Sequence, residues 1–203
     1  MAYDQGYFDK WYRSRNHRVR SPAQIRRIVS FALSAAEYIL DRPVRTVLDV
    51  GAGEGHWQPA LRKLRPTLTY VGVEPSTYAV GRYGRRRGLR LGSVETLTDL
   101  HLHERFPAGF DLVVCCGVLN YVAPKALSDA FEQLALHTGG VAWLELFTAH
   151  DEIEGDVATM RPKPAAWYRT RLQAVGLVPC GLHLYAPADR AAALAALETG
   201  RIE

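Results

Sequence analysis

Three glycines and two carboxylates lie together in residues 47–55, which read VLDVGAGEG. Glycines in a tight turn adopt positive φ and let a ligand approach the backbone closely, because no Cβ stands in the way. A further acidic residue, Glu74, directly follows the apolar run 68–73. A carboxylate at the end of a strand can accept hydrogen bonds from both hydroxyls of a ribose. The glycine turn and Glu74 together predict a site for an adenosine-containing ligand.

Two classes of adenosine-containing ligand are consistent with such a turn. Dinucleotide-binding proteins use the spacing G-x-G-x-x-G and hold the pyrophosphate at a helix N-terminus. Here the spacing is G-x-G-x-G, and His56 occupies the position of the third glycine. The carboxylates of Asp49 and Glu54 would repel a pyrophosphate and would favour a cation. S-adenosylmethionine carries a sulfonium and an ammonium group and no phosphate, so these residues favour it over a dinucleotide.

Alternating strands and helices are predicted around this turn. Short β-branched and apolar runs bounded by Gly or Pro indicate buried strands, and apolar residues at helical spacing indicate helices. This alternation implies parallel strands joined by right-handed crossovers, with ligands bound at the carboxyl edge of the sheet. The predicted strands are residues 46–50, 68–73, 89–91, 111–115, 141–147, 177–180 and 182–186. The predicted helices are residues 22–40 with Ser21 as the N-cap, 55–64, 76–87, 123–137, 165–175 and 187–197.

Length and composition indicate one globular domain. The chain has 203 residues, of which 48% are hydrophobic and 23% charged, as is typical of a soluble domain with a core. Its apolar stretches are too short to cross a bilayer, and its polar, aromatic N-terminus does not read as a secretory signal. The three cysteines lack the spacing of a disulfide framework or a zinc site. We therefore expect a cytoplasmic protein that binds no metal and does not enter the membrane.

The region 46–147 resembles the core of the class I S-adenosylmethionine-dependent methyltransferases. Residues 47–55 match the first motif of that family, and Glu74 stands at the position that binds the ribose hydroxyls. Residues 92–95 resemble the third motif, where Ser93 replaces the aspartate that often binds the adenine amino group. Residues 110–122 (FDLVVCCGVLNYV) resemble the fourth motif, in which residues 116–119 pass the methyl end of the cofactor.

The resemblance implies an α/β fold of the Rossmann-like, doubly wound type. We expect a mostly parallel seven-stranded sheet with an antiparallel last strand and an N-terminal helical lid. Within a single domain 1–203, residues 1–42 form the lid segment, 43–147 the cofactor-binding core, and 148–203 an acceptor-side loop, helix and final hairpin. S-adenosylmethionine is the expected cofactor and S-adenosylhomocysteine the product. The implied cofactor-binding residues are Asp49, Gly51, Ala52, Gly53, Gly55, Glu74, Pro75, Ser76, Ser93, Val94, Glu95, Cys116, Gly117 and Leu119.

The methyl acceptor is less well defined by the sequence. Methyl transfer depends mainly on alignment, and a general base is needed only if the acceptor is protonated. His150, Tyr121 and Glu145 are candidates for that base, although a lone histidine on a loop is more often solvated. Asn120–Tyr121 lacks the two prolines of the D/N-P-P-Y motif of amino-methylating nucleic-acid enzymes, and neither Cys115 nor Cys116 follows a proline. A small-molecule O or N acceptor is therefore the leading hypothesis.

Aromatic and basic residues before the first strand suggest a cover for the site. Residues 3–12 contain five aromatic side chains, and we predict that Tyr7, Trp11 or Tyr12 closes the site while Arg18 or Arg20 meets an anionic acceptor. The alternative is that these rings pack against the sheet edge. Asn120, Tyr121 and His150 complete the candidate acceptor-binding residues.

The net charge of +4 is concentrated in the arginines of 10–27 and 82–90. These clusters leave open a methyltransferase that acts on RNA or protein. A non-catalytic protein that binds an adenosine ligand is the other alternative. The expected oligomeric state is a monomer or a homodimer.

Overall fold

A single sheet of seven strands organises the chain. The computed structural model describes residues 3–153, 155–192 and 194. The strands are β1 (Thr46–Val50), β2 (Thr69–Glu74), β3 (Leu89–Leu91), β4 (Phe110–Cys116), β5 (Thr138–Glu145), β6 (Leu177–Gly181) and β7 (Leu184–Pro187). Their order across the sheet is β3-β2-β1-β4-β5-β7-β6.

The strand directions confirm the predicted Rossmann-like class. β1 pairs in parallel with β2 and with β4, so that Asp49 lies opposite Gly72 on one side and Val114 on the other. The β2–β3 and β4–β5 pairs are also parallel, whereas β7 runs antiparallel to both β5 and β6. The chain order reverses between β1 and β4, so the crevice for a ligand lies at the carboxyl ends of these two strands.

Helices cover both faces of the sheet. Alternate residues of β1 point to opposite faces: Val47 packs in the apolar core under α2 and α3, and Leu48 packs in the core under α6 and α7. The predicted cap of α2 is confirmed, because Ser21 Oγ accepts the Gln24 N–H at 3.2 Å and Gln24 Oε1 accepts the Ser21 N–H at 2.7 Å. The helices are α1 (Gln5–Phe8), α2 (Pro22–Leu40), α3 (Trp57–Leu64), α4 (Thr77–Arg87), α5 (Leu102–Arg105), α6 (Leu127–His137), α7 (Ala165–Ala174) and α8 (Ala188–Ala191).

Two helices begin later than predicted, for identifiable reasons. α3 begins at Trp57 rather than at Gly55, because Gly55 has a φ of 70° that an α-helix does not accept. α6 begins at Leu127 rather than at residue 123, because the chain first makes a turn in which the Ala126 N–H bonds to the Ala123 carbonyl.

The glycine pair 139–140 lies inside β5 rather than in a turn before it. A Cβ on either residue would collide with backbone atoms of residues 108–111, so both glycines permit a close approach of β5 to the start of β4.

Two short helical segments were not predicted, and the predicted C-terminal helix is described only in part. A 3₁₀ segment, Val94–Leu100, and α5 lie between β3 and β4, where no element was predicted. The predicted terminal helix 187–197 is seen as α8, and its later residues lie largely outside the described part of the chain. Among the described residues, none of the helices has the length and apolar character needed to cross a membrane.

Candidate functional site

The glycine turn after β1 is held against β2. The N–H groups of Gly51 and Ala52 both donate to the Val73 carbonyl, at 2.8 and 3.0 Å. A Cβ on Gly51, where φ is 70°, would collide with the side chain of Val118, and one on Gly53 would collide with the hydroxyl of Tyr12. The turn therefore needs glycine because the fourth-motif segment and the N-terminal segment both pack directly on its backbone.

Asp49 supplies a buried carboxylate directly before the turn. It is 2% exposed and accepts a hydrogen bond from the Tyr70 hydroxyl at 2.6 Å. Burial raises the pKa of Asp49 to about 7, although the bond from Tyr70 opposes this change. Asp49 also lines the cavity described below. Because Asp49 has no ion-pair partner among the described residues, its carboxylate can accept either a cation or a hydrogen-bond donor.

Glu74 connects the end of β2 with the glycine turn. Its Oε2 accepts the Gly53 N–H at 2.7 Å, and its Oε1 accepts the Ser76 N–H at 3.0 Å. Burial raises the pKa of Glu74, and the two N–H donors oppose that rise. Each carboxylate oxygen has a second lone pair, so the carboxylate has the capacity to accept two additional hydroxyl donors. The third-motif segment lies beside this residue, because the Gly92 N–H donates to the Glu74 carbonyl at 3.1 Å.

The N-terminal segment covers this part of the site. Phe8 is 1% exposed, and its ring stacks on Tyr78 with a centroid distance of 5.8 Å and meets the edge of Tyr12 at 4.9 Å. Ser76 caps α4 by accepting the Ala79 N–H, and its hydroxyl donates to the Tyr3 carbonyl. The N-terminal segment therefore packs over the region of Glu74, through contacts of both backbone and side chains.

Glu54 does not play the part predicted for it. Its buried carboxylate pairs with Arg13 and lies 3.3 Å from His56 Nε2, and its carbonyl accepts a bond from Arg87. Burial alone would raise the pKa of Glu54, but His56 and Arg13 lower it below its usual value. Its charge is thus satisfied within the protein. The expectation that Glu54 attracts a cationic ligand was wrong, and Asp49 alone carries that argument.

A cavity of about 190 Å³ opens between the glycine turn and the N-terminal segment. Its wall brings together residues from both predicted sets, whereas the adenosine-side positions do not line it. The wall residues that were predicted for the cofactor are Asp49, Gly51, Ala52, Cys116 and Gly117. Those predicted for the acceptor or for catalysis are Tyr7, Trp11, Tyr12, Arg20, Tyr121 and Glu145.

The floor of the cavity contains an ion pair. The Arg20 guanidinium pairs with the carboxylate of Glu145, and the Cys116 thiol lies 3.4 Å from Glu145 Oε2. Burial raises the pKa of the Cys116 thiol well above its usual range. Arg20 therefore has its charge balanced by Glu145, and the thiol stays protonated.

The three candidate bases are placed unfavourably for proton abstraction. Glu145 is held by Arg20. Tyr121 donates its hydroxyl proton to the Asp156 carbonyl, and burial raises the pKa of Tyr121 above its usual range. His150 is exposed and does not line the cavity. The arrangement is thus better suited to alignment of the reactants than to general-base chemistry.

Several other predicted residues have structural positions. Asn120 is fully buried, where its side-chain amide donates to the Phe147 carbonyl at 2.8 Å and accepts the Phe147 N–H at 3.0 Å. This amide ties the segment after β4 to the segment after β5, so the assignment of Asn120 to the acceptor is not supported. Arg18, Pro75 and Glu95 are exposed, and Leu119 and Val94 lie in the core. Ser93 donates its N–H to Thr96 Oγ1 at 2.9 Å.

Sequence reasoning missed part of the cavity wall. Asp156 and Met160 come from the segment between β5 and α7, which has no regular periodicity to indicate which side chains turn inwards. Ile25, Trp57 and Phe147 also line the cavity. These three side chains are apolar, and the local sequence pattern does not show whether such a residue lines a cavity or packs in a closed core.

Comparison with known proteins finds similarity to methyltransferases. Residues 48–141 match the family model described as a methyltransferase domain. Magnesium protoporphyrin IX methyltransferase from Synechocystis PCC 6803 with bound SAM is 17% identical, with a TM-score of 0.57 over 86% of this chain and 82% of that one. A SAM-dependent methyltransferase from Archaeoglobus fulgidus is 15% identical, with a TM-score of 0.61 over 84% and 72%. DesVI from Streptomyces venezuelae is 16% identical, with a TM-score of 0.56 over 78% and 91%.

These structural likenesses show the fold, a Rossmann-like α/β sheet with a crevice at its carboxyl edge. The match of residues 48–141 to the methyltransferase-domain model agrees with the family resemblance seen in the sequence. A comparison with curated protein sequences finds no match.

Proposed function

We propose that the protein transfers a methyl group from S-adenosylmethionine to a small molecule held in the cavity beneath the N-terminal segment. The main observation in support is that predicted cofactor residues and residues of the N-terminal segment line one cavity. Asp49, Gly51 and Gly117 lie on one wall, and Tyr7 and Trp11 lie on another. A cavity of about 190 Å³ suits a small acceptor rather than a folded macromolecule.

The residues present fit the cofactor at three points. Glu74 would hold the ribose hydroxyls with the lone pairs that its two N–H donors leave unused. Asp49 would face the positively charged methionine portion. A Cβ on Gly117 would meet no atom within 4 Å, so the wall at Gly117 leaves space for a ligand. Bound S-adenosylmethionine supplies a methyl group on a positively charged sulfur, a carbon open to in-line attack.

The chain itself contributes orientation and the exclusion of water. The lid rings around Phe8 close the adenosine side, and exclusion of water strengthens the electrostatic interaction of Asp49 with a cation. Because Tyr121, Glu145 and His150 are poorly placed as bases, we propose that rate enhancement comes mainly from alignment.

Titration calorimetry with S-adenosylmethionine, S-adenosylhomocysteine and NAD tests the cofactor half of this proposal. We expect both methyl-cycle ligands to bind and NAD not to bind. Asp49→Asn should weaken the binding of S-adenosylmethionine. Asp129→Asn should leave that binding unchanged, because Asp129 lies on α6 outside the cavity wall. Binding of NAD alone would refute the proposal.

A tritiated-methyl screen of cell extract tests the acceptor half. The extract is divided into small-molecule, RNA and protein fractions, and we expect label in the first. Part of the arginine cluster is engaged internally, because Arg87 bonds the Glu54 carbonyl and both Arg86 and Arg87 lie over the ring of Tyr83. Label that appears in RNA and falls steeply with salt would favour the nucleic-acid alternative instead.

A further inference from the structure

Carboxylates outnumber cationic side chains on the cavity wall. Arg20, Asp49, Glu145 and Asp156 line the cavity, and Arg20 and Glu145 pair with each other. His56 also lines it, but its ring is directed to Glu54 outside the wall. Two carboxylates, those of Asp49 and Asp156, are therefore left without a cation from the described part of the chain. The proposed cofactor would face Asp49, which leaves Asp156 for another group.

Asp156 has an unsatisfied carboxylate oxygen. The residue lies in the segment between β5 and α7, and its Oδ2 is buried with no hydrogen-bond partner among the described residues. Burial of a carboxylate oxygen without a donor is unfavourable, and such an oxygen usually has a partner in the functional state. The missing donor is thus expected from a molecule that enters the cavity.

Two tyrosines line the cavity together with this carboxylate. They are Tyr7 and Tyr121, and the Tyr121 hydroxyl donates to the Asp156 carbonyl. Burial raises the pKa of Tyr7 and of Tyr121, and the charge of Asp156 contributes to both increases. The face of an aromatic ring attracts a cation. A cavity that combines such rings with a carboxylate oxygen lacking a donor is complementary to an ammonium group.

We propose that the acceptor is a small molecule that carries an ammonium group, which Asp156 binds in the part of the cavity lined by Tyr7 and Tyr121. Because an ammonium nitrogen has no lone pair, this group anchors the molecule and a different atom accepts the methyl group. This inference rests on the proposed function, since it concerns the acceptor part of the same cavity. It replaces the expectation of an anionic acceptor, because the guanidinium of Arg20 is already neutralised by Glu145.

Three probes of nearly equal shape test the charge preference. Phenethylamine, 2-phenylethanol and phenylacetate are titrated by calorimetry into protein saturated with S-adenosylhomocysteine. We expect the amine to bind at least about tenfold more tightly than the alcohol, a difference of about 1.4 kcal/mol, and phenylacetate to bind most weakly. Asp156→Asn should remove the preference for the amine, while affinity for the alcohol stays unchanged.

Glu152→Gln is the matched control, because Glu152 is an exposed carboxylate of the same segment that does not line the cavity. It should leave the preference intact. Tightest binding of phenylacetate, equal affinity for all three probes, or no binding of any probe to the loaded protein would overturn the inference. If Asp156→Asn fails to fold, the wild-type series alone decides. Absence of S-adenosylhomocysteine binding at the first step would instead refute the proposed function itself.

Discussion

Two glycines with the same backbone conformation separate the effect of strain from the effect of a blocked ligand site. Gly117 has a φ of 63° and Gly176 a φ of 77°, and a Cβ built on either residue meets no atom within 4 Å. Only Gly117 lines the cavity, whereas Gly176 lies between α7 and β6. The variants Gly117→Ala and Gly176→Ala therefore add the same methyl group at the same backbone cost, but only the first adds it at the proposed cofactor.

The expected magnitudes follow from this geometry. An alanine in the left-handed region costs about 1–2 kcal/mol, and each kcal/mol lowers Tm by about 2–4 °C in a domain of this size. Both variants should therefore lose similar stability. The methyl group of Gly117→Ala would also occupy space that the cofactor needs. The affinity for S-adenosylhomocysteine should therefore fall at least about tenfold, or about 1.4 kcal/mol. Gly176→Ala should leave that affinity unchanged.

Thermal unfolding of the free proteins and calorimetric titration with S-adenosylhomocysteine measure the two effects separately. Equal affinities in the two variants, with equal losses of Tm, would show that Gly117 does not contact the cofactor. A loss of affinity in both variants would attribute the effect to general destabilisation. Either result would refute the placement of the cofactor against the fourth-motif segment.

Other side chains give predictions that urea denaturation can check. Arg20→Met leaves the buried carboxylate of Glu145 without its cation and should lower the free energy of unfolding by about 3 kcal/mol; adding Glu145→Leu should restore most of it. Burial raises the pKa of Asp49 to about 7 in the folded state, against about 3.9 when unfolded. Wild type should therefore lose stability relative to Asp49→Asn as pH rises from about 4 to about 7. Asn120→Ala leaves the buried backbone groups of Phe147 unpaired and should cost about 1–3 kcal/mol.

Distinct outcomes would contradict each of these expectations. If the double variant at Arg20 and Glu145 is no more stable than Arg20→Met, the loss is not due to an unpaired carboxylate. A stability difference between wild type and Asp49→Asn that does not change with pH would show that the carboxyl of Asp49 titrates normally. An unchanged urea midpoint in Asn120→Ala would remove the structural role of that amide.

Local sequence was sufficient for most of the fold. Strands such as β1 are short, continuous apolar runs because both faces of a parallel sheet are covered, and the capping residues of α2 lie within one helical turn of each other. The glycine turn and Glu74 can also be recognised from local sequence, because the glycines are closely spaced and Glu74 directly follows the apolar run of a strand. The predicted boundaries were wrong where tertiary contacts determine them. One example is the glycine pair 139–140, where β5 closely approaches the start of β4.

The Rossmann-like architecture could be predicted from the sequence, and the cofactor class could be inferred, since both depend on residue types at short spacing. The charges that a ligand meets depend on the tertiary structure. Arg20 and Glu145 neutralise each other although they are 125 positions apart, and Arg13 neutralises Glu54 although they are 41 positions apart. Asp156 lines the cavity with no cation partner among the described residues. Ion pairs between distant segments arise from packing rather than from periodicity, so the electrostatics of the acceptor site become visible only in the folded chain.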